Sequence, residues 1–150
     1  GQKLPNSTKS DYKAIRAALQ TARDLKRTYP IYIGGKSYGS RMMSQLAAQK
    51  NLADVKGIIY FGFPLHAVGK PRIERGEHLI NVPFPMLFLQ GSRDGLADKF
   101  LIESVVENLE HTTLLFFEGA DHSFKMLKKT GITQAEIIQK LAISVSEWLF

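Results

Sequence analysis

The chain has 150 residues, 44% of them hydrophobic and 23% charged, which suits one globular domain with its own core and excludes a disordered chain. It has no cysteine, so disulfides, thiol nucleophiles and cysteine-ligated zinc are excluded, and a reducing cytoplasm is the expected compartment. The formal charge of +6 raises nucleic acid as a partner, yet no nucleic-acid module signature accompanies it, and no apolar run is long enough to span a bilayer.

The N-terminal stretch GQKLPNSTKS lacks the apolar core of a secretory signal. A helix is then expected from about 10 to 28. Lys9, Lys13, Arg16, Gln20, Arg23 and Arg27 follow spacings of three and four and stack on one side, while Tyr12, Ile15, Leu19 and Ala22 form the adjoining apolar face. The first fifty residues hold ten Lys and Arg against Asp11 and Asp24. That excess reads as a solvated helix face, because no aromatic side chains interleave with it.

Four short runs rich in β-branched and aromatic residues read as buried strands: YPIYIGG (29–35), VKGIIYFGF (55–63), FPMLFLQG (84–91) and TTLLFFEG (112–119). Their hydrophobicity is nearly continuous, as in parallel strands covered on both faces. A helix follows Gly39 with Met43, Leu46 and Ala47 inward, and another begins near Asp98 carrying Leu101, Val105 and Leu109. The last starts at Thr133, where Thr133-Gln134-Ala135-Glu136 forms a capping box, and buries Ile137, Leu141, Val145 and Trp148. The alternation predicts one α/β domain over 1–150: a parallel sheet in three layers. Residues 62–83 break the pattern, with three prolines and no period. They are expected to form a rim or lid of a site, with a short helix near Glu74 to Leu79.

The stretch YIGGKSYGSR (32–41) admits two readings. A phosphate-binding loop G-x-x-x-x-G-K-[ST] would need glycine where Pro30 stands, and proline has neither the amide hydrogen nor the backbone freedom. G-x-S-x-G at a sharp strand-to-helix turn fits instead: Ile-Tyr-Ile supplies the strand, SRMMSQLAAQ the helix, and Gly35 and Gly39 the room around Ser37. A serine nucleophile needs a base and an orienting carboxylate, because its hydroxyl does not ionise at neutral pH. The chain order in such folds is Ser, acid, His, each at the carboxyl end of a strand. Asp94 follows MLFLQ in the glycine-flanked turn GSRDG, and His122 follows LLFFE in GADHSF. Asp98 competes as the acid but is better placed to start a helix, and Asp121 suits a turn. Tyr38 N–H is the expected oxyanion donor. His66 reads equally as a substrate contact or as a satisfied surface histidine, and His78 and His111 as solvated or structural. The four histidines lack metal-ligand spacing, so neither metal nor cofactor is expected.

Taken together, GGKSYGSR, GFPLH, LFLQGSRDGLAD and EGADHSFK resemble the small hydrolases of the α/β-hydrolase superfamily related to dienelactone hydrolases, a group that includes a testis-expressed protein and a subunit of a chromatin-modifying complex. The resemblance implies Ser37 as nucleophile, Asp94 as acid and His122 as base, with Pro64, Leu65 and His66 in a motif near the substrate. It implies a serine hydrolase of small esters, lactones or thioesters, the alternative being a weakly active or inactive interaction domain. Only 36 residues precede Ser37, whereas the family sheet has several strands there, one of whose loops supplies a second oxyanion donor. The chain is therefore expected to be the carboxyl-terminal portion of that fold. Its Ile31–Ile33 strand would then be an open edge, and either a homo-oligomer through this edge or covering of it by the N-terminal segment is expected.

Overall fold

The four apolar runs become four strands: β1 (Ile31–Lys36), β2 (Val55–Phe61), β3 (Met86–Gly91) and β4 (Thr112–Phe117). The computed structural model, which describes residues 6–25 and 28–150, pairs them all in parallel, in the order β1-β2-β3-β4. Ile33 lies opposite Ile58, Tyr60 opposite Phe88 and Leu89 opposite Leu115. Parallel strands need long returns, and helices supply most of them: α2 (Tyr38–Gln49) joins β1 to β2, and α3 (Lys99–Val106) joins β3 to β4. The flanking helices are α1 (Asn6–Leu25) and α4 (Gln134–Leu149).

Alternation within the strands splits the core in two, because successive side chains point to opposite faces. Ile58, Tyr60, Met86 and Phe88 meet Tyr12 and Leu19 of α1, Met42, Leu46 and Ala47 of α2, and Ile102 of α3. On the other face Ile59, Leu87 and Leu89 meet Ile137 and Leu141 of α4, with Val145 and Trp148 packed alongside. The result is the three-layer α/β architecture that the sequence predicts. Fully burying a side chain such as Phe88 or Leu46 stabilises by roughly 1.5–3 kcal/mol, so a few of these contacts outweigh any single polar interaction. The Tyr60, Phe63 and Phe88 rings pack against one another within the larger cluster, with Tyr60 and Phe88 centroids 4.6 Å apart.

Several local expectations shift. The first helix is described over Asn6–Leu25, so it starts ahead of the expected residue 10, and Arg27, assigned above to its polar face, lies outside the described residues. In α2 the core position is Met42, with Met43 only half-buried. The sheet-facing stripe runs through positions 42 and 46, four apart, and a register of 43, 46 and 47 starts one residue late. Helix α3 ends at Val106, and Leu109 reaches the core from the turn that follows, where its N–H donates to the Val106 carbonyl. The capping box at Thr133 and Glu136 is present with both hydrogen bonds, 3.2 Å to the Glu136 N–H and 2.6 Å from the Thr133 N–H.

Residues 62–83 are packed along much of their length. Phe63, Pro64, Leu65 and His66 are buried, and the predicted short helix is a 3₁₀ segment over Glu74–Asn81. Leu79 anchors that segment in the larger core. His78 Nε2 lies 2.6 Å from Ser44 Oγ of α2, and Ser44 donates its own hydroxyl proton to the Arg41 carbonyl at 2.9 Å. The imidazole is therefore the donor in its bond to Ser44. Burial, with a smaller push from the Arg41 charge, lowers the His78 pKa to about 4.

Candidate active site

The site is built where strands stop. Strand β1 ends on Lys36, and helix α2 begins at Tyr38, leaving Ser37 alone to turn the chain. Its φ of 52° and ψ of −118° lie where side-chain-bearing residues rarely sit. Such a turn folds the helix start back over the strand end. A Cβ on Gly35 would lie 2.8 Å from the Gly39 carbonyl carbon and the Ser40 nitrogen, so only glycine fits. Gly39 differs from the expectation: a Cβ there meets nothing within 4 Å. The close approach runs from the strand glycine into the helix backbone, and the helix glycine's own Cβ direction points into open space. Ser40 Oγ donates to the Gly35 carbonyl at 2.6 Å and ties the turn together.

Asp94 leaves β3 in a turn closed by its own N–H to the Gly91 carbonyl at 3.2 Å. The side chain is fully buried. Such a carboxylate is tolerable only when its oxygens are hydrogen-bonded. Oδ1 accepts from the Leu96 N–H at 2.7 Å and Oδ2 lies 2.8 Å from His122 Nδ1. His122 leaves β4 in a turn held by Asp121, whose Oδ1 accepts from the Ser123 and Lys125 N–H groups at 2.8 and 2.9 Å. Its Nε2 is 2.7 Å from Ser37 Oγ. One hydrogen-bonded line thus runs from the Ser37 hydroxyl through the imidazole to the Asp94 carboxylate. The imidazole is about one-fifth exposed, so the line opens to solvent at the serine end while its carboxylate end is sealed.

The acid and histidine loops are laced to each other. The Arg93 N–H donates to the Ala120 carbonyl at 2.9 Å, Arg93 Nη1 to the Gly119 carbonyl at 3.0 Å, and the Gly119 N–H to Ser92 Oγ at 2.8 Å. Gly91 makes that contact possible, since a Cβ there would collide with the Ala120 and Asp121 carbonyl oxygens.

The remaining candidates go elsewhere. Asp98 caps α3, accepting from the Leu101 N–H at 3.0 Å. His66 is 5% exposed and has both ring nitrogens engaged: Nδ1–H donates to the Ala67 carbonyl at 2.9 Å, and Nε2 accepts from the Asp98 N–H at 2.8 Å. Its backbone N–H donates to the Leu96 carbonyl at 2.9 Å. Here His66 joins the 62–83 connection to the acid loop and has no free nitrogen to offer a ligand. Leu65 is fully buried in the larger core cluster. The Tyr38 hydroxyl donates to Asp11 Oδ2 at 2.7 Å, tying the turn to α1, while the Tyr38 N–H opens α2, where helical geometry supplies no acceptor.

Sequence reasoning missed Gln90. Fully buried, it accepts from the Phe63 N–H at 2.6 Å and donates to the Phe63 carbonyl at 3.4 Å, pinning the chain that leaves β2. The available signal was a lone amide ending an otherwise apolar strand. Among the described residues no group of three or more His, Cys, Asp or Glu could hold a metal ion, and no helix is long and apolar enough to cross a membrane.

The model of the alpha/beta hydrolase domain family matches residues 1–150. The chain belongs to that family. Solved structures agree in fold. An alpha-beta serine hydrolase homologue from Coxiella burnetii superposes with a TM-score of 0.71 at 17% identity, covering 98% of this chain and 62% of its own. An α/β serine hydrolase without lid from Xanthomonas campestris gives 0.60 at 20% identity, over 91% and 60%. A monoacylglycerol lipase from Paleococcus ferrophilus gives 0.60 at 12%, over 77% and 66%. The chain therefore spans about three-fifths of the first two of these hydrolases. Within the α/β-hydrolase fold the order serine, acid, histidine along the chain is the usual one, and positions 37, 94 and 122 follow it.

Proposed function

We propose that this chain hydrolyses a small ester, lactone or thioester, with Ser37 as nucleophile, His122 as base and Asp94 as the carboxylate that orients it. The observation that carries this reading is the Ser37–His122–Asp94 line, at 2.7 and 2.8 Å, anchored in a buried carboxylate and ending on a serine held at positive φ. Ser37 Oγ attacks the acyl carbon as its proton passes to His122 Nε2. Asp94 holds the imidazole with Nδ1 protonated and stabilises the positive charge that develops. The leaving alcohol or thiol takes the proton from Nε2. Water, deprotonated by the same nitrogen, then cleaves the acyl-serine and releases the acid. The Tyr38 N–H, at the start of α2, is the proposed donor to the tetrahedral oxyanion, a role in which one donor contributes on the order of a hundredfold in rate.

The test is chemical. A fluorophosphonate should label the protein at Ser37, and Ser37→Ala should lose both the label and turnover of p-nitrophenyl acetate. Labelling that persists in the Ser37→Ala protein ends the assignment. His122→Ala should retain the fold and lower turnover by roughly a thousandfold or more.

A further inference from the structure

Four residues beyond Ser37, α2 carries Arg41, and its environment is unusual for a guanidinium. Its Nε is buried without a hydrogen-bond partner. Arg75 belongs to the 3₁₀ segment that the His78–Ser44 bond holds against α2, and its charge lies within electrostatic reach of Arg41, as do the Tyr12 and Tyr38 hydroxyl groups. Asp11 of α1 is engaged by the Tyr38 hydroxyl. Among the described residues neither Arg41 nor Arg75 forms an ion pair or a side-chain hydrogen bond. Burial and the like charge of Arg75 both press the Arg41 pKa downward, yet arginine does not lose its proton in proteins. Two permanent cations, neither of them ion-paired among the described residues, therefore lie within electrostatic reach of each other, one on the helix that follows the serine turn and one on the segment packed against it. Such an arrangement costs energy, and an oxyanion placed between two guanidinium forks would relieve it.

The direction of the side chain matters. Helical side chains lean toward the N-terminus of their helix, which for α2 is the end carrying Ser37. Arg41 starts about 6 Å along the helix from Ser37, so an acid group held there is joined to the reacting acyl carbon by a short chain. His78, the third basic group in the cluster, is kept neutral near pH 7 by its lowered pKa of about 4. It donates to Ser44, not to a ligand.

We infer that Arg41 and Arg75 form a subsite for an oxyanion on the substrate, so that the preferred acyl group is a short dicarboxylic half-ester or half-thioester. This rests on the hydrolase reading, since the subsite is defined by its distance from Ser37, but its binding step is measurable without turnover.

Two experiments test it. The first compares p-nitrophenyl hydrogen glutarate with its uncharged counterpart p-nitrophenyl pentanoate, subtracting the rate seen with Ser37→Ala protein. Wild type should show kcat/KM at least tenfold higher for the glutarate, mostly through KM. Arg75→Gln should bring the ratio close to one, Arg41→Gln should do the same, and Arg75→Lys should restore part of it. The second titrates Ser37→Ala protein with methyl hydrogen glutarate in a calorimeter. A saturable heat is expected, lost in Ser37→Ala/Arg75→Gln and weakened by inorganic phosphate. A glutarate-to-pentanoate ratio near one, in wild-type protein with Ser37-dependent turnover, overturns the subsite and leaves the hydrolase reading standing. A flat titration also overturns it. Saturable binding with no turnover of either ester keeps the subsite and removes the hydrolase reading.

Discussion

At residue scale the serine turn depends on one missing side chain. Gly35 sits where any Cβ would press on the Gly39 and Ser40 backbone, and backbone cannot rotate away as a side chain can. Gly35→Ala is expected to destabilise by on the order of 3 kcal/mol, or to displace Ser37 from His122. Gly39→Ala occupies open space in the first turn of α2 and should be neutral or stabilising by about 0.5 kcal/mol. Urea unfolding of the two variants separates them. Equal losses would mean that the turn is shaped by something other than the approach of Gly35 to α2. From the motif alone the two glycines look equivalent, because spacing records which positions are small and leaves out which way a Cβ would point.

At the scale of elements, the sheet holds its helices by different means. Helix α4 supplies the buried Ile137 and Leu141 of the second core cluster, and its first turn is secured by the Thr133–Glu136 box. Thr133→Ala should cost about 1 kcal/mol, read as a lower urea midpoint with an unchanged slope. The 3₁₀ segment is held to α2 by the His78–Ser44 bond, and burial of the imidazole, with the Arg41 charge nearby, favours its neutral form. The folded pKa of His78 lies at about 4, below the ordinary value of 6.5, so between those values the unfolded chain binds more protons. Stability from this group is fully present above about pH 6.5 and is lost as pH falls toward about 4. The amount is roughly 1–3 kcal/mol after allowing for partial exposure. His78→Gln should flatten the fall in stability between pH 6.5 and 4. A variant that keeps the wild-type slope would place the titrating group elsewhere.

At the scale of the whole molecule, the strands and helices were legible because each is dictated locally. Apolar runs of strand length bounded by Gly, Pro and Asp became β1 to β4, and amphipathic periods became α1 to α4 within a few residues. The order serine, acid, histidine at three strand ends was legible too, since parallel strands bring their carboxyl ends to one side of a sheet. What periodicity could not carry was contact between loops distant in the chain. Gly91 beneath the histidine loop, Gln90 holding Phe63, His66 joined to the acid loop, and Arg41 within electrostatic reach of Arg75 are defined by partners about 25–35 positions away. The amino-acid sequence by itself determined the layered parallel architecture and which residues stand at the strand ends, because backbone sterics and hydrophobic period act over a few neighbours. Only the tertiary structure decided that a hydroxyl, an imidazole and a carboxylate lie within hydrogen-bonding reach and that His66 is a structural link. Packing between loops sets those distances, and no local pattern encodes it.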